Sequence, residues 1–173
     1  MFEKAYFYTK LPVMTLDNSK TIINFRIKLF GATIVFIAYL VLAYFSHTIK
    51  FPLLGLSDTA VTLILVAVYL FIAFLPMILN YQFVFFTDEN EKIIFRYFNA
   101  GITGGRKNSV EIDKKSFAGY KTETKMFGMI KSIILFQNFR EGVARYPAIF
   151  ITALSKEERS KILKSLDSFT SPE

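Results

Sequence analysis

The sequence predicts an α-helical hairpin long enough to cross a membrane, followed by an α+β domain. That domain is expected to be an antiparallel curved sheet or barrel of about six to seven strands, capped by a C-terminal helix. Three observations predict this. Two apolar runs, 29–49 and 59–87, contain no Asp, Glu, Lys or Arg. From Asp88 onward, short β-branched and aromatic runs alternate with polar or glycine-rich turns. The chain then closes on one amphipathic stretch that begins with a capping signature at Ser155.

The 173 residues leave room for the hairpin and one small domain. They divide into an N-terminal segment (1–28), a transmembrane hairpin (29–80, with helices at about 29–49 and 59–79) and a C-terminal domain (81–173). Apolar residues make up 53% of the chain and cluster in the hairpin, while the charges lie outside it. A soluble protein would need a large body around two such helices, and the polar remainder is too short to supply one. The absence of cysteine excludes disulfides, thiolate metal sites and cysteine nucleophiles. A net charge of +7 is accounted for by membrane orientation, since cytoplasmic flanks collect Lys and Arg; no nucleic-acid partner is inferred. The first apolar run starts only near Leu29 and exceeds a signal-peptide core, so it is expected to stay in the membrane.

Before the first run stand Lys4, Lys10, Lys20, Arg26 and Lys28 against Glu3 and Asp17; the connection between the runs carries Lys50. The positive-inside rule places the N-terminus in the cytoplasm, the connection outside and the C-terminal domain in the cytoplasm. The aromatic start, 2–10, reads either as a strip that docks on the C-terminal domain or as a leader, and Pro12 stops a helix from running through it. Asp17-Asn18-Ser19 offers helix-start chemistry, so the first helix can begin well before the membrane. Small residues recur at Gly31 and Ala38 and at Ala60 and Ala67, a spacing that lets helices approach closely. No acid, Lys or Arg lies deep in either run, which argues against a transport path through the hairpin. His47, the one histidine, falls at the outer end as an ordinary interfacial residue. Pro76 is placed to kink the second helix near its inner end. Tyr81, Phe83, Phe85 and Phe86 form an aromatic belt, the first strand of the next domain, or both.

After a polar turn at 87–91, strands are expected at 92–98, 109–113, 117–124 and 129–138. Residues 143–154 give one or two more, with Pro147 at an edge or bend. In the closing helix Ser155 is the N-cap and Glu158 completes a capping box. Ile162, Leu163, Leu166 and Phe169 share one face, which covers the open side of the sheet.

Catalytic signatures are missing. The glycine-rich loop 101–108 has Arg106 where a P-loop needs its second glycine, and no Lys-Ser/Thr follows. One histidine without cysteine gives no H-E-x-x-H motif and no zinc cluster. A Ser-His-Asp triad would need His47, across the membrane from its partners. Glu157-Glu158 and Asp88-Glu89 sit at a helix start and a turn, where solvation explains them. No catalytic residue, metal or cofactor is therefore expected, and no RNP-like run supports RNA binding.

The layout from Leu29 to Phe169 resembles bacterial membrane proteins in which a two-helix hairpin precedes a pleckstrin-homology-like (PH-like) domain. The resemblance rests on the strand run after the second helix and on the ending Tyr146-Pro-Ala-Ile-Phe-Ile-Thr-Ala-Leu-Ser-Lys-Glu-Glu-Arg159. It implies a non-enzymatic multi-pass protein of the bacterial inner membrane that presents a binding or scaffolding domain to the cytoplasm. In phosphoinositide-binding PH domains a basic loop between strands holds the headgroup. Arg106 and Lys107 look similar, although their loop follows the second strand rather than the first. The expected function is an adaptor for a partner protein, bound at an exposed strand edge or at the loop ends around 101–107. The alternatives are a lipid-responsive module in which Arg106 and Lys107 contact anionic headgroups, and an accessory subunit of a membrane transport complex.

Overall fold

The computed structural model describes residues 13–101 and 105–170. The aromatic start of the chain and the middle of the glycine-rich loop lie outside the described residues. A short strand, β1 (Thr15–Asp17), leads directly into α1 (Ser19–Leu40), whose end widens into a π-helical segment, Val41–Phe45. α2 (Asp58–Ile78) returns. The domain then runs β2 (Gln82–Thr87), β3 (Lys92–Asn99), β4 (Asn108–Asp113), a 3-10 turn (Lys114–Ser116), β5 (Phe117–Lys125), β6 (Ile130–Phe139), β7 (Gly142–Arg145), β8 (Ile149–Phe150) and α3 (Lys156–Asp167).

α1 with its π-helical end has 27 residues and α2 has 21, about 40 and 31 Å at 1.5 Å per residue. Both are long and apolar enough to cross a membrane. Only 6% of the most apolar stretch of α1 and 11% of that of α2 is buried. Ile27, Phe30, Val35, Leu63 and Phe71 face outward, so these are not core helices of the sheet domain. The two helices are joined by hydroxyl pairs. Thr33 meets Tyr69 at 3.0 Å, and the Tyr69 ring stacks on Phe36. Tyr39 and Tyr44 both reach Thr62, at 2.8 and 2.6 Å. A π-helical segment adds a residue to the turn, which brings residue i+5 onto the face that i+4 would take. Gly31 is not used for close approach, because a Cβ there would meet nothing within 4 Å. The tyrosine–threonine pairs fill the role expected of small residues.

The strands form two antiparallel four-stranded sheets, ordered β1-β2-β3-β4 and β5-β6-β7, with β8 also on β6. They do not close into a barrel. The 3-10 turn carries the chain from one sheet to the other, and among the described residues no ladder joins β4 to β5. Alternation with period two sends Val84 and Phe86, Ile93 and Phe95, and Val110 and Ile112 into one core with Ile133, Leu135 and Ile149 of the second sheet. Phe86 lies opposite Phe95, ring centroids 4.8 Å apart. α3 buries Ile162 and Leu166 completely and half-buries Leu163 and Phe169 against the same core. The capping box forms as the sequence requires: Ser155 Oγ accepts from the Glu158 N–H at 3.2 Å, and Glu158 Oε2 accepts from the Ser155 N–H at 2.7 Å. Tyr120 donates its hydroxyl hydrogen to Asp167 at 2.6 Å, tying the end of α3 to β5. Pro147 falls in the bend between β7 and β8.

α1 begins at Ser19, directly after the helix-start residues Asp17 and Asn18. Of the two readings of the aromatic run after α2, the strand is the one formed: Phe86 is buried in the core and Phe83 stacks on Phe98. One feature differs from the sequence-based expectation: the domain takes a strand, β1, from the segment before the hairpin, pairing Thr15–Asp17 with Phe85–Thr87.

Candidate partner-binding groove

Three side chains tie β1 and the helix feet to the sheets. Asn18 is 1% exposed, and its amide completes the ladder where the backbone turns into α1. Its Nδ2 donates to the Gln82 carbonyl and its Oδ1 accepts from the Val84 N–H, both at 2.9 Å. With that side chain engaged on β2, helix capping falls to its neighbour: Asp17 accepts from the Ser19 hydroxyl and from the Ser19 N–H. These bonds hold the Asp17 carboxyl below its ordinary range. Gln82, also buried, donates to Asn99 of β3 and accepts from the Phe150 N–H of β8. Together Asn18 and Gln82 lock the feet of both long helices to both sheets.

Asp88 is the third clamp. It lies at the distal end of β2, 5% exposed. One carboxylate oxygen accepts from the Met14 N–H at 2.6 Å, and the other accepts from Ser165 of α3. The Lys114 ammonium donates to the Asp88 and Asn90 carbonyls. Asp88 therefore uses both oxygens to join the start of β1 to α3.

The join leaves a groove of about 500 Å³ between β1 and α3, lined by Val13 to Leu16 on one side and by Lys161, Lys164, Ser165 and Ser168 on the other. Met14 and Asn18 bond to β2 through their backbones, so the strand alternation turns the N–H and C=O of Thr15 and Asp17 to the free edge. Lys161 and Lys164, three apart on α3, are exposed and make no ion pair among the described residues. An open strand edge beside an apolar floor and two ammonium groups can take up an extended acidic segment.

The sequence-predicted pair lies elsewhere. Arg106 and Lys107 are exposed just before β4, and Arg106 offers its carbonyl to the Asn108 amide. Gly105 packs on Asn99, where a Cβ would come within 2.8 Å of that residue's backbone nitrogen; close approach, not positive φ, is what Gly105 provides. The loop departs beside a smaller crevice of about 260 Å³ at the foot of the helices, lined by Phe25, Arg26, Leu29, Pro76, Ala100 and Gly101. The structure thus sets Arg106 and Lys107 at the helix end of the domain, away from the β1–α3 groove. Lys161 and Lys164 were legible only as the polar face of a helix, and Asp88 as a turn acid. Nothing local marks a three-residue strand that pairs across the hairpin.

No family model, no curated protein and no solved structure matches this chain. What stands is its own architecture: two helices able to span a membrane, followed by paired antiparallel sheets and a C-terminal helix.

Proposed function

We propose that this chain is a non-enzymatic, membrane-anchored adaptor. α1 and α2 cross the inner membrane of a bacterium as a hairpin, with both termini in the cytoplasm. Their feet hold a PH-like domain at the membrane face, where the β1–α3 groove receives an extended acidic segment of a partner protein. Supporting the orientation, Lys20, Arg26 and Lys28 sit at the domain end of α1, whereas the opposite connection has only Lys50. The observation that carries the binding reading is the outward backbone of Thr15 and Asp17 beside Lys161 and Lys164. A partner strand there would complete the sheet.

Thr15→Pro removes an outward N–H while leaving the inward bonds of Met14 and Asn18. Lys161→Glu with Lys164→Glu reverses the charge of the opposite wall. Tagged full-length protein and both variants are extracted from the native host in mild detergent. A stoichiometric partner should accompany the wild type, be lost from Thr15→Pro and be weakened by the double variant. A partner retained at full stoichiometry by Thr15→Pro refutes the groove.

A second reading follows from the crevice at the helix feet. Arg26 within it, and Arg106 and Lys107 on the adjoining loop, suit an anionic headgroup. Arg106→Glu with Lys107→Glu should lower the anionic lipid bound to full-length protein in mixed-lipid nanodiscs. Unchanged lipid binding removes that site.

A further inference from the structure

We propose that the β5–β6 hairpin tip, Met126-Phe127-Gly128-Met129, is a second membrane contact that dips into the headgroup layer beside α1. This rests on the reading that α1 and α2 cross a bilayer.

The tip is a two-residue turn closed by the Met129 N–H donating to the Met126 carbonyl at 3.1 Å. Its central residues, Phe127 and Gly128, have φ of +53° and +93°, and Met126 before them has +49°. Glycine and asparagine are the ordinary occupants of such a turn. A phenylalanine at positive φ is strained, and strain kept at an exposed position points to a function outside the fold. No packing accounts for it, because Phe127 is 107% exposed, with Met126 at 46% and Met129 at 52%. Three large apolar side chains thus project together into solvent.

The direction in which they project follows from the ladder. Phe150 pairs with Ser132, and its N–H donates to Gln82 at the foot of α2. As the chain continues from Phe150, Ile151 bonds to Lys131, and Ala153 packs on Ile22, one turn up α1 from Asn18. That path runs toward the membrane. β6 is antiparallel to it, so retracing β6 from Ser132 to Ile130 and on to the turn leads the same way. Met129 lies three residues beyond Ser132, a reach of about 10 Å at 3.3 Å per residue. α1 climbs a similar distance, about 10 Å, from Asn18 to the level of Phe25 and Arg26, where its basic side chains would meet headgroups. Lys125 and Lys131 flank the tip, one on each face of the hairpin, as suits cations beside inserted apolar groups. The opposite turn, between β6 and β7, leaves from the other end of the same strand.

The chain contains no tryptophan, so single Trp variants report cleanly. Phe127→Trp, Phe139→Trp at the opposite turn and Phe71→Trp within α2 are reconstituted as full-length protein. The vesicles contain phosphatidylglycerol and phosphatidylcholine, with or without phosphatidylcholine brominated near the glycerol backbone. The Phe127→Trp protein should emit at shorter wavelength than the Phe139→Trp protein, lose most of its emission to the brominated lipid and resist aqueous iodide. The Phe139→Trp protein should show the reverse. A Phe127→Trp signal quenched by iodide and not by lipid overturns the proposal, because it leaves the tip in water. Failure of the Phe71→Trp protein to emit from a lipid environment overturns it differently, by removing the bilayer reading itself.

Discussion

Asn18→Ala tests the joint between hairpin and domain. Truncation leaves two buried groups without partners, the Val84 N–H and the Gln82 carbonyl. Each costs about 1–3 kcal/mol, so the variant should lose about 2–6 kcal/mol. Asn18 is 1% exposed, which denies water easy access as a substitute. At tenfold per 1.4 kcal/mol, the amides of β2 should exchange at least about 30-fold faster. Hydrogen exchange of full-length protein in detergent, read on peptides covering 82–87 and on others in α2, gives the local measurement. Asn18→Asp sharpens it. A protonated carboxyl has one donor and one acceptor, like the amide, whereas the carboxylate sets a negative charge against the Gln82 carbonyl. Burial raises that carboxyl's pKa, so stability is retained at low pH and lost as pH rises through the folded pKa. Asn18→Asp should therefore recover toward wild type on acidification, and Asn18→Ala should not. Equal protection of β2 in wild type and Asn18→Ala would refute the clamp.

Three further outcomes are expected. Ser155→Ala removes the acceptor of the capping box and should cost about 0.5–2 kcal/mol, seen as a lower thermal midpoint of the domain. Tyr120 has its hydroxyl pKa pushed up to about 12 by burial and by the bond to Asp167, so the folded state keeps a proton that the unfolded state loses. Its contribution is intact below about pH 10, the unfolded value, and falls between pH 10 and 12. Tyr120→Phe should flatten that decline and remove one late-titrating tyrosine from the absorbance difference spectrum. Thr62→Val strips the shared acceptor of Tyr39 and Tyr44 and should loosen the hairpin by about 1 kcal/mol, at about 0.6 per interhelical bond. Detergent-titrated exchange of α1 and α2 would measure it, and unchanged exchange would show that the pairs carry no stability.

Elements governed by local pattern were legible from the residues alone. Uncharged length pointed to the two helices, β-branched and aromatic runs between polar turns pointed to β3 through β6, and Ser155 with Glu158 marked the start of α3. Each is a property of neighbours along the chain, set by backbone geometry and by which face must leave water. Only the tertiary structure decided what pairs at long range. Thr15-Leu-Asp is too short to announce a strand and becomes one because β2 offers an edge and Asn18 reaches Gln82 and Val84. Asp88 reads as a solvated turn acid until Met14 and Ser165 close over it. The groove is the space left by those two distant joins, so Lys161 and Lys164 become one of its walls only because β1 lies across from them. Phe127 shows the same limit from the other side. Its sequence says only apolar turn; that it stands exposed at positive φ depends on the β5–β6 register that closes the turn, and the end of the sheet it occupies depends on the register of β6 with β8.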